Sequence, residues 1–236
     1  MRKAKQLIEN SFTKSFLLIV FLLNSNYTQA QKADAGLWTT LSIDKKLNNK
    51  FSANLTEEVR LFQNVQRLNL AYTNLGVSYK LNKYVKLSAV YRFLQKSQDE
   101  NYISWRHRIY ADAQFKYRYY PFTVVYRARL QSQVRDYFTS RDGKIPERYW
   151  RNKFDVKYEL GHGISPYIAA EFRYQFKNNR NKDANNEFNR GRYYVGCQYQ
   201  HSESKTFDFY FMNQREFNVN NPERNFILGI EYDYSF

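Results

Sequence analysis

From Phe51 to Phe236 the chain alternates apolar and polar residues two by two, with breaks at regular intervals. In the stretch Ile103 to Tyr117, Ile103, Trp105, Ile109, Ala111, Ala113, Phe115 and Tyr117 share one face, with His107 the lone exception. Ser104, Arg106, Arg108, Tyr110, Asp112, Gln114 and Lys116 share the other. A helix would mix these two sets around its circumference, whereas a strand keeps them apart. The split recurs over Val85–Phe93, Phe122–Gln131, Trp150–Leu160, Ile168–Phe176, Arg192–Gln200 and Phe226–Phe236, which predicts about ten strands. Leu37 to Leu47 alternates as well and predicts one more.

The breaks come in two kinds. Short ones fall at 48–50, 82–83, 119–121, 161–163 and 201–205; longer, polar ones at 64–67, 96–101, 135–148, 177–187 and 218–225. Short turns at one end and long loops at the other predict an antiparallel up-and-down transmembrane β-barrel of about ten to twelve strands, with periplasmic turns and extracellular loops. Eleven strands would depart from the even counts usual in bacterial barrels. The expectation is therefore that the Leu37–Leu47 segment lies outside the ring, or that a strand has been split or missed.

Composition fits a sheet that is greasy on one side only. Aromatics make up 19% of the 236 residues, yet the mean hydropathy is −0.76, so apolar residues are interleaved with polar ones. The exception is the run Phe16 to Leu23, preceded by Arg2, Lys3, Lys5 and Lys14 and followed by Thr28-Gln29-Ala30. A basic leader, a short apolar core and a small-residue cut predict a signal peptide over residues 1–30, cleaved after Ala30, and a barrel domain over 31–236. The run is far shorter than the roughly 20 residues of a spanning helix. Cleavage would remove four bases and one acid, so the net charge of +15 becomes +12. An exported basic chain is expected to meet the anionic sugars and phosphates of a bacterial outer membrane, not nucleic acid. The single Cys197 excludes an internal disulfide.

Which face meets lipid decides between a membrane barrel and a soluble periplasmic lipocalin-like carrier whose apolar face surrounds an oily ligand. Trp105, Trp150, Tyr174 and Phe176 sit near the long-loop ends of the apolar face. Phe115, Tyr117, Tyr158, Tyr199 and Tyr232 sit near its short-turn ends. Two aromatic bands flanking an aliphatic strip are the pattern of membrane interfaces, which favours the apolar face outward. Tyr232, Tyr234 and Phe236 are spaced like the C-terminal strand signal that the barrel-assembly machinery reads.

Several short motifs also resemble a known group. Gly36-Leu37-Trp38, Gly76-Val77-Ser78-Tyr79-Lys80-Leu81-Asn82, Tyr91-Arg92-Phe93, Trp105-Arg106-His107-Arg108 and Trp150-Arg151-Asn152-Lys153 are similar to the outer-membrane family called domain of unknown function 2490 (DUF2490). The likeness covers essentially the whole chain after residue 30. It implies an outer-membrane barrel and no activity, so no functional residue is carried over from it.

The polar face is rich in arginine toward its long-loop end: Arg60, Arg92, Arg106, Arg108, Arg129, Arg151, Arg173, Arg190 and Arg192. Glu58, Asp112, Asp155, Glu159, Glu171, Asp208, Glu216 and Glu231 share that face. One reading is a structural barrel with a lumen filled by arginine–carboxylate pairs. Another is a narrow anion-favouring channel with arginines around its mouth. In a third, Arg135, Arg141, Lys144, Arg148, Lys177, Arg180 and Lys182, placed in loops, meet the phosphates of lipopolysaccharide. No Ser–His–acid set, metal-ligand spacing or phosphate-binding glycine loop stands in the sequence, so neither an enzyme nor a cofactor is expected.

Overall fold

The structure, a computed structural model, describes residues 32–99, 102–138, 141–179 and 182–236. The segment read as a signal peptide, residues 1–30, lies outside the described residues. Lys32–Phe236 forms a single compact unit of eleven strands: β1 (Lys32–Lys46), β2 (Phe51–Phe62), β3 (Arg67–Lys80), β4 (Val85–Asp99), β5 (Tyr102–Tyr119), β6 (Phe122–Arg135), β7 (Glu147–Tyr158), β8 (Ile164–Lys177), β9 (Glu187–Gln200), β10 (Lys205–Glu216) and β11 (Glu223–Ser235). Each strand pairs antiparallel with the next in sequence, and β11 pairs with β1 to close the ring.

Eleven strands fall within the ten to twelve expected, and the closure corrects the expectation of a wholly antiparallel ring. The Leu37–Leu47 segment is not outside the ring: as β1 it pairs with both β2 and β11. In a meander with an odd number of strands the first and last run the same way, so the seam has to be parallel. The β1–β11 ladder runs from Lys32↔Glu223 to Asp44↔Ser235. The sheet is thus a closed mixed barrel with one parallel pair, and closure leaves no edge strand.

The loops also differ from the sequence reading. The turn at 63–66 is as tight as those on the opposite rim, with Gln63, Asn64 and Val65 at positive φ and Asp34 accepting from the Gln63 and Asn64 amides at 2.9 and 3.1 Å. The polar stretch from Lys96 is strand: Lys96 pairs with Ser104 and Ser97 with Ile103. Here polar residues follow one another along the chain, so the alternation that marks a strand is absent. Only 136–146, 178–186 and 217–222 are long connections. Two turns on the other rim share one device: the Asn48 side chain accepts from the Lys50 and Phe51 amides at 2.9 and 2.8 Å, and Asn82 does the same for Tyr84 and Val85. The sequence puts Asn where a side-chain oxygen can stand in for a backbone acceptor.

The apolar face points outward all round the ring. Ile109, Val195 and Ile168 are 66, 63 and 62% exposed, while Arg92 and Glu171, inside, are 6 and 3% exposed. This is the reverse of a lipocalin-like interior. Ring pairs flank the aliphatic strip: Phe93–Trp105 and Tyr174–Phe188 toward the long-loop rim, and Phe51–Tyr79, Phe122–Tyr158 and Phe207–Tyr232 toward the other. His107, the exception on that face, is paired there: its Nδ1 lies 2.7 Å from the Tyr91 hydroxyl.

Inside, one row of cross-strand neighbours alternates rings with glycines. It reads Tyr167 (β8), Gly196 (β9), Tyr210 (β10), Gly229 (β11), Trp38 (β1). A Cβ on Gly229 would lie 2.0 Å from Tyr210 Cζ, and one on Gly196 would lie 2.6 Å from Tyr167 Cζ. The rings therefore lie flat over bare backbone, the arrangement by which an aromatic neighbour compensates a strand glycine. With Tyr194, Met212 and Ile227 they form a buried apolar cluster inside the barrel beside the seam. Gly229→Ala should lower stability by about 1–3 kcal/mol through overpacking. In a double-mutant cycle with Tyr210→Ala, urea unfolding of the detergent-solubilised protein should show a coupling of about 1–2 kcal/mol.

Candidate functional site: an arginine-lined cavity

The interior is organised by register. Residues directly opposite on neighbouring strands form rows around the ring, and such pairs are the unit of sheet energetics. One row reads Asp112 (β5), Arg129 (β6), Arg151 (β7), Arg173 (β8), Arg190 (β9), Glu216 (β10): four arginines in line between two carboxylates. Another reads Asn74 (β3), Arg92 (β4), Arg108 (β5), Gln133 (β6), Glu147 (β7). Like charges placed directly opposite destabilise a sheet unless something neutralises them.

Part of the neutralisation is internal. Arg129 forks onto Asp112, with Nε to Oδ1 and Nη2 to Oδ2 both at 2.7 Å, a bidentate geometry that a lysine would not reproduce. Arg190 pairs with Glu216, and Arg60 with Glu58. Glu171 serves three cations: Arg127 at 2.7 Å, Arg192 at 3.2 Å, and Arg151. Rings carry more of the charge. The Arg60 guanidinium lies 3.5 Å from the centre of the Trp38 ring, Arg92 lies 3.5 Å from Tyr72 and Arg129 lies 3.8 Å from Tyr110, close enough for cation–π attraction in a confined space.

Three arginines have only neutral hydrogen-bond partners among the described residues, with no carboxylate in direct ion-pair contact. Arg92 donates to Asn74 Oδ1 at 2.6 Å, Arg108 to Gln133 Oε1 at 3.0 Å and Arg173 to Asn189 Oδ1 at 2.8 Å. An amide oxygen satisfies the donor and leaves the charge in place.

These groups surround a cavity of about 580 Å³ that reaches from Asp34, Gln63, Asn64 and Glu223 at the long-loop rim down to Glu171. Of the nine polar-face arginines singled out in the sequence, Arg60, Arg92, Arg106, Arg108, Arg151, Arg173, Arg190 and Arg192 line it, while Arg129 does not and forks onto Asp112. Arg135 and Lys96 complete the basic lining, so ten cations face four acids, Asp34, Glu147, Glu171 and Glu223. Arg135 had been placed in a loop by its polar surroundings. It ends β6 on the inner face and meets Glu147 at 2.9 Å, because the alternation Gln131, Gln133, Arg135 continues one step further than the apolar residues reveal. Arg148 is exposed and Arg180 lies outside the described residues.

Toward the short-turn rim acids and bases are interleaved. Asp208 and Glu231 are directly opposite one another on β10 and β11, and Lys153 lies 3.8 Å from Asp155. Asp208 accepts from the Tyr167 hydroxyl at 2.9 Å, and Lys157 donates to Gln198 at 2.9 Å. The Tyr167–Trp38 row lies between this mixed group and the arginine cavity. Cys197 is a free thiol on the outer face.

Three arginines converge on Glu171, so Glu171→Gln should cost about 3–5 kcal/mol by leaving buried charge uncompensated. Asp112→Asn, which releases only Arg129, should cost less; urea titrations followed by tryptophan fluorescence would rank the two.

A search of curated proteins gives no significant match. Among solved structures the chain is similar to the anion-selective porin from Comamonas acidovorans, with 11% identity and a TM-score of 0.39, over 81% of this chain and 55% of the porin. The chain thus spans about half the length of that porin. A family model described as "Protein of unknown function (DUF2490)" matches residues 35–225, from β1 into β11. This chain belongs to the DUF2490 family.

Proposed function

We propose that the protein is a bacterial outer-membrane β-barrel whose interior is closed by packed rings and ion pairs, so that it serves as a structural or binding barrel and not as an open pore. The observation that carries this is the outward apolar band, continuous around eleven strands and bounded by aromatic pairs on both sides. Soluble monomers rarely expose apolar patches beyond a few hundred Å², and a closed sheet is one of the two ways a backbone can cross hydrocarbon with every polar group paired. Strands of 12 to 18 residues exceed the roughly 9–11 needed to cross at a tilt.

The reading of a filled lumen draws support from the Tyr167–Gly196–Tyr210–Gly229–Trp38 row and from Met212 and Ile227, both fully buried inside the ring. The alternative of a narrow anion-favouring channel is favoured by the arginine lining of the cavity. Recording decides between them: the purified barrel in planar bilayers should insert without steady conductance, whereas small anion-selective steps that fall in Arg106→Ala plus Arg129→Ala would establish the channel.

Membrane placement has its own test. The processed chain should fractionate with outer membranes and migrate faster on gels unheated than boiled. Leu130→Arg, on the outward face and 58% exposed, should destabilise the barrel in lipid by about 2–4 kcal/mol if that position lies at the bilayer midplane. A chain that stayed soluble without detergent and tolerated this change would end the reading.

A further inference from the structure

We propose that the arginine cavity is a binding site for small oxyanions carrying two or more negative groups, phosphates or carboxylates. The proposal goes beyond the membrane reading and rests on the interior alone.

The first ground is charge for which the protein supplies no direct ion-pair partner. Arg92 and Arg108 are directly opposite one another on β4 and β5, and each is held by an amide oxygen where a carboxylate would have cancelled its charge. Arg173 stands between Arg151 and Arg190 in the four-arginine row and is likewise held by Asn189. Elsewhere in the same interior the chain does supply carboxylates in the right register, as Asp112 for Arg129 and Glu216 for Arg190 show. The neutral partners at Arg92, Arg108 and Arg173 hold each guanidinium in place and keep its charge available.

The second ground is shape. The uncancelled charge falls in two places, β4–β5 and β8, on the wall of one cavity. Its volume of about 580 Å³ falls within the range of roughly 300–1,000 Å³ usual for small-molecule sites. Two separated basic centres select a ligand with two anionic groups over a single ion. Guanidinium forks match phosphate and carboxylate oxygens two at a time. Trp38, a member of the buried ring cluster, forms part of the same wall, so apolar bulk borders the arginines on one side.

The test is titration calorimetry on the refolded barrel in neutral detergent, after its heat-dependent gel shift has shown it to be folded. Pyrophosphate and citrate are the probes, with chloride at equal ionic strength as the reference. One or both should bind at one per barrel with a Kd below about 1 mM; the tighter of the two identifies phosphate or carboxylate as the preferred group. Binding should weaken about tenfold or more in Arg92→Gln and in Arg173→Gln, since each loses a charged hydrogen bond, and stay unchanged in the exposed Arg148→Gln. As a measurement independent of variant folding, pyrophosphate should slow phenylglyoxal modification of Arg92, Arg108 and Arg173 in the unaltered protein, read by peptide mass. A folded barrel that binds neither probe more tightly than chloride, binds them equally in the Gln variants, or shows no protection, overturns the proposal and leaves the membrane reading standing. A chain that binds pyrophosphate yet fractionates as a soluble protein would do the converse.

Discussion

An eleven-strand meander brings its last strand back to its first in the same direction, and everything else in this molecule depends on sealing that parallel seam. Parallel ladders are slightly weaker per residue than antiparallel ones, so the seam needs help from side chains. The row Tyr167–Gly196–Tyr210–Gly229–Trp38 supplies it on the inner face. Tyr167 and Tyr210 occupy the space that a Cβ on Gly196 and on Gly229 would take, so bulk and bareness alternate along the row. Trp38 then passes the row on to Arg60, whose guanidinium lies over the indole. The apolar seal and the charged cavity are joined at that contact.

Closure turns the interior into a confined space in which charges have only one another, rings and amides as partners. Register decides who meets whom. Asp112 and Glu216 cap the ends of a four-arginine row because the strands align them there, and Glu171 reaches three arginines because it stands one row away, opposite Arg192 and Lys153. A one-residue slip of β8 would send Glu171 outward and bring Phe172 in, leaving Arg127, Arg151 and Arg192 without their shared carboxylate. The charge pattern therefore helps fix the same register that the outward apolar band requires, and the two demands reinforce each other.

Much of this could be read from the chain alone where the band lies. Alternation such as Ile109, Ala111, Ala113 against Arg108, Tyr110, Asp112 identifies both strand and face, and the arginines that line the cavity are found by the same two-residue step. Beyond the band the signal disappears. Lys96 to Asp99 are polar at every position, and so they resemble a loop although they belong to a strand. Four register shifts also fall on the long-loop side, between Arg60 and Leu61, Ser97 and Asp99, Arg148 and Tyr149, and Arg173 and Tyr174. Bulges there break the count that would have carried a face assignment to the rim. The parity of the ring was illegible for a different reason: alternation is a local property and carries no information on which way a distant strand returns. Nor does it reveal that Gly196 and Gly229 matter, since a glycine gives no hydrophobic signal and its role lies in the ring placed on it from the next strand.

The two ends of the interior are chemically unlike, and that asymmetry bears on what the barrel can do. Arginines gather above the ring layer and reach toward the long-loop rim, while Asp208 and Glu231 face each other nearer the short-turn rim. An anion entering from the long-loop side meets the ten cations of the cavity first, whereas nearer the short-turn rim Lys153 and Lys157 are interleaved with Asp155 and Asp208 and no single sign of charge prevails. A cavity with surplus guanidinium held on neutral supports is suited to retaining an anion, because the supports fix the geometry of each fork without cancelling its charge.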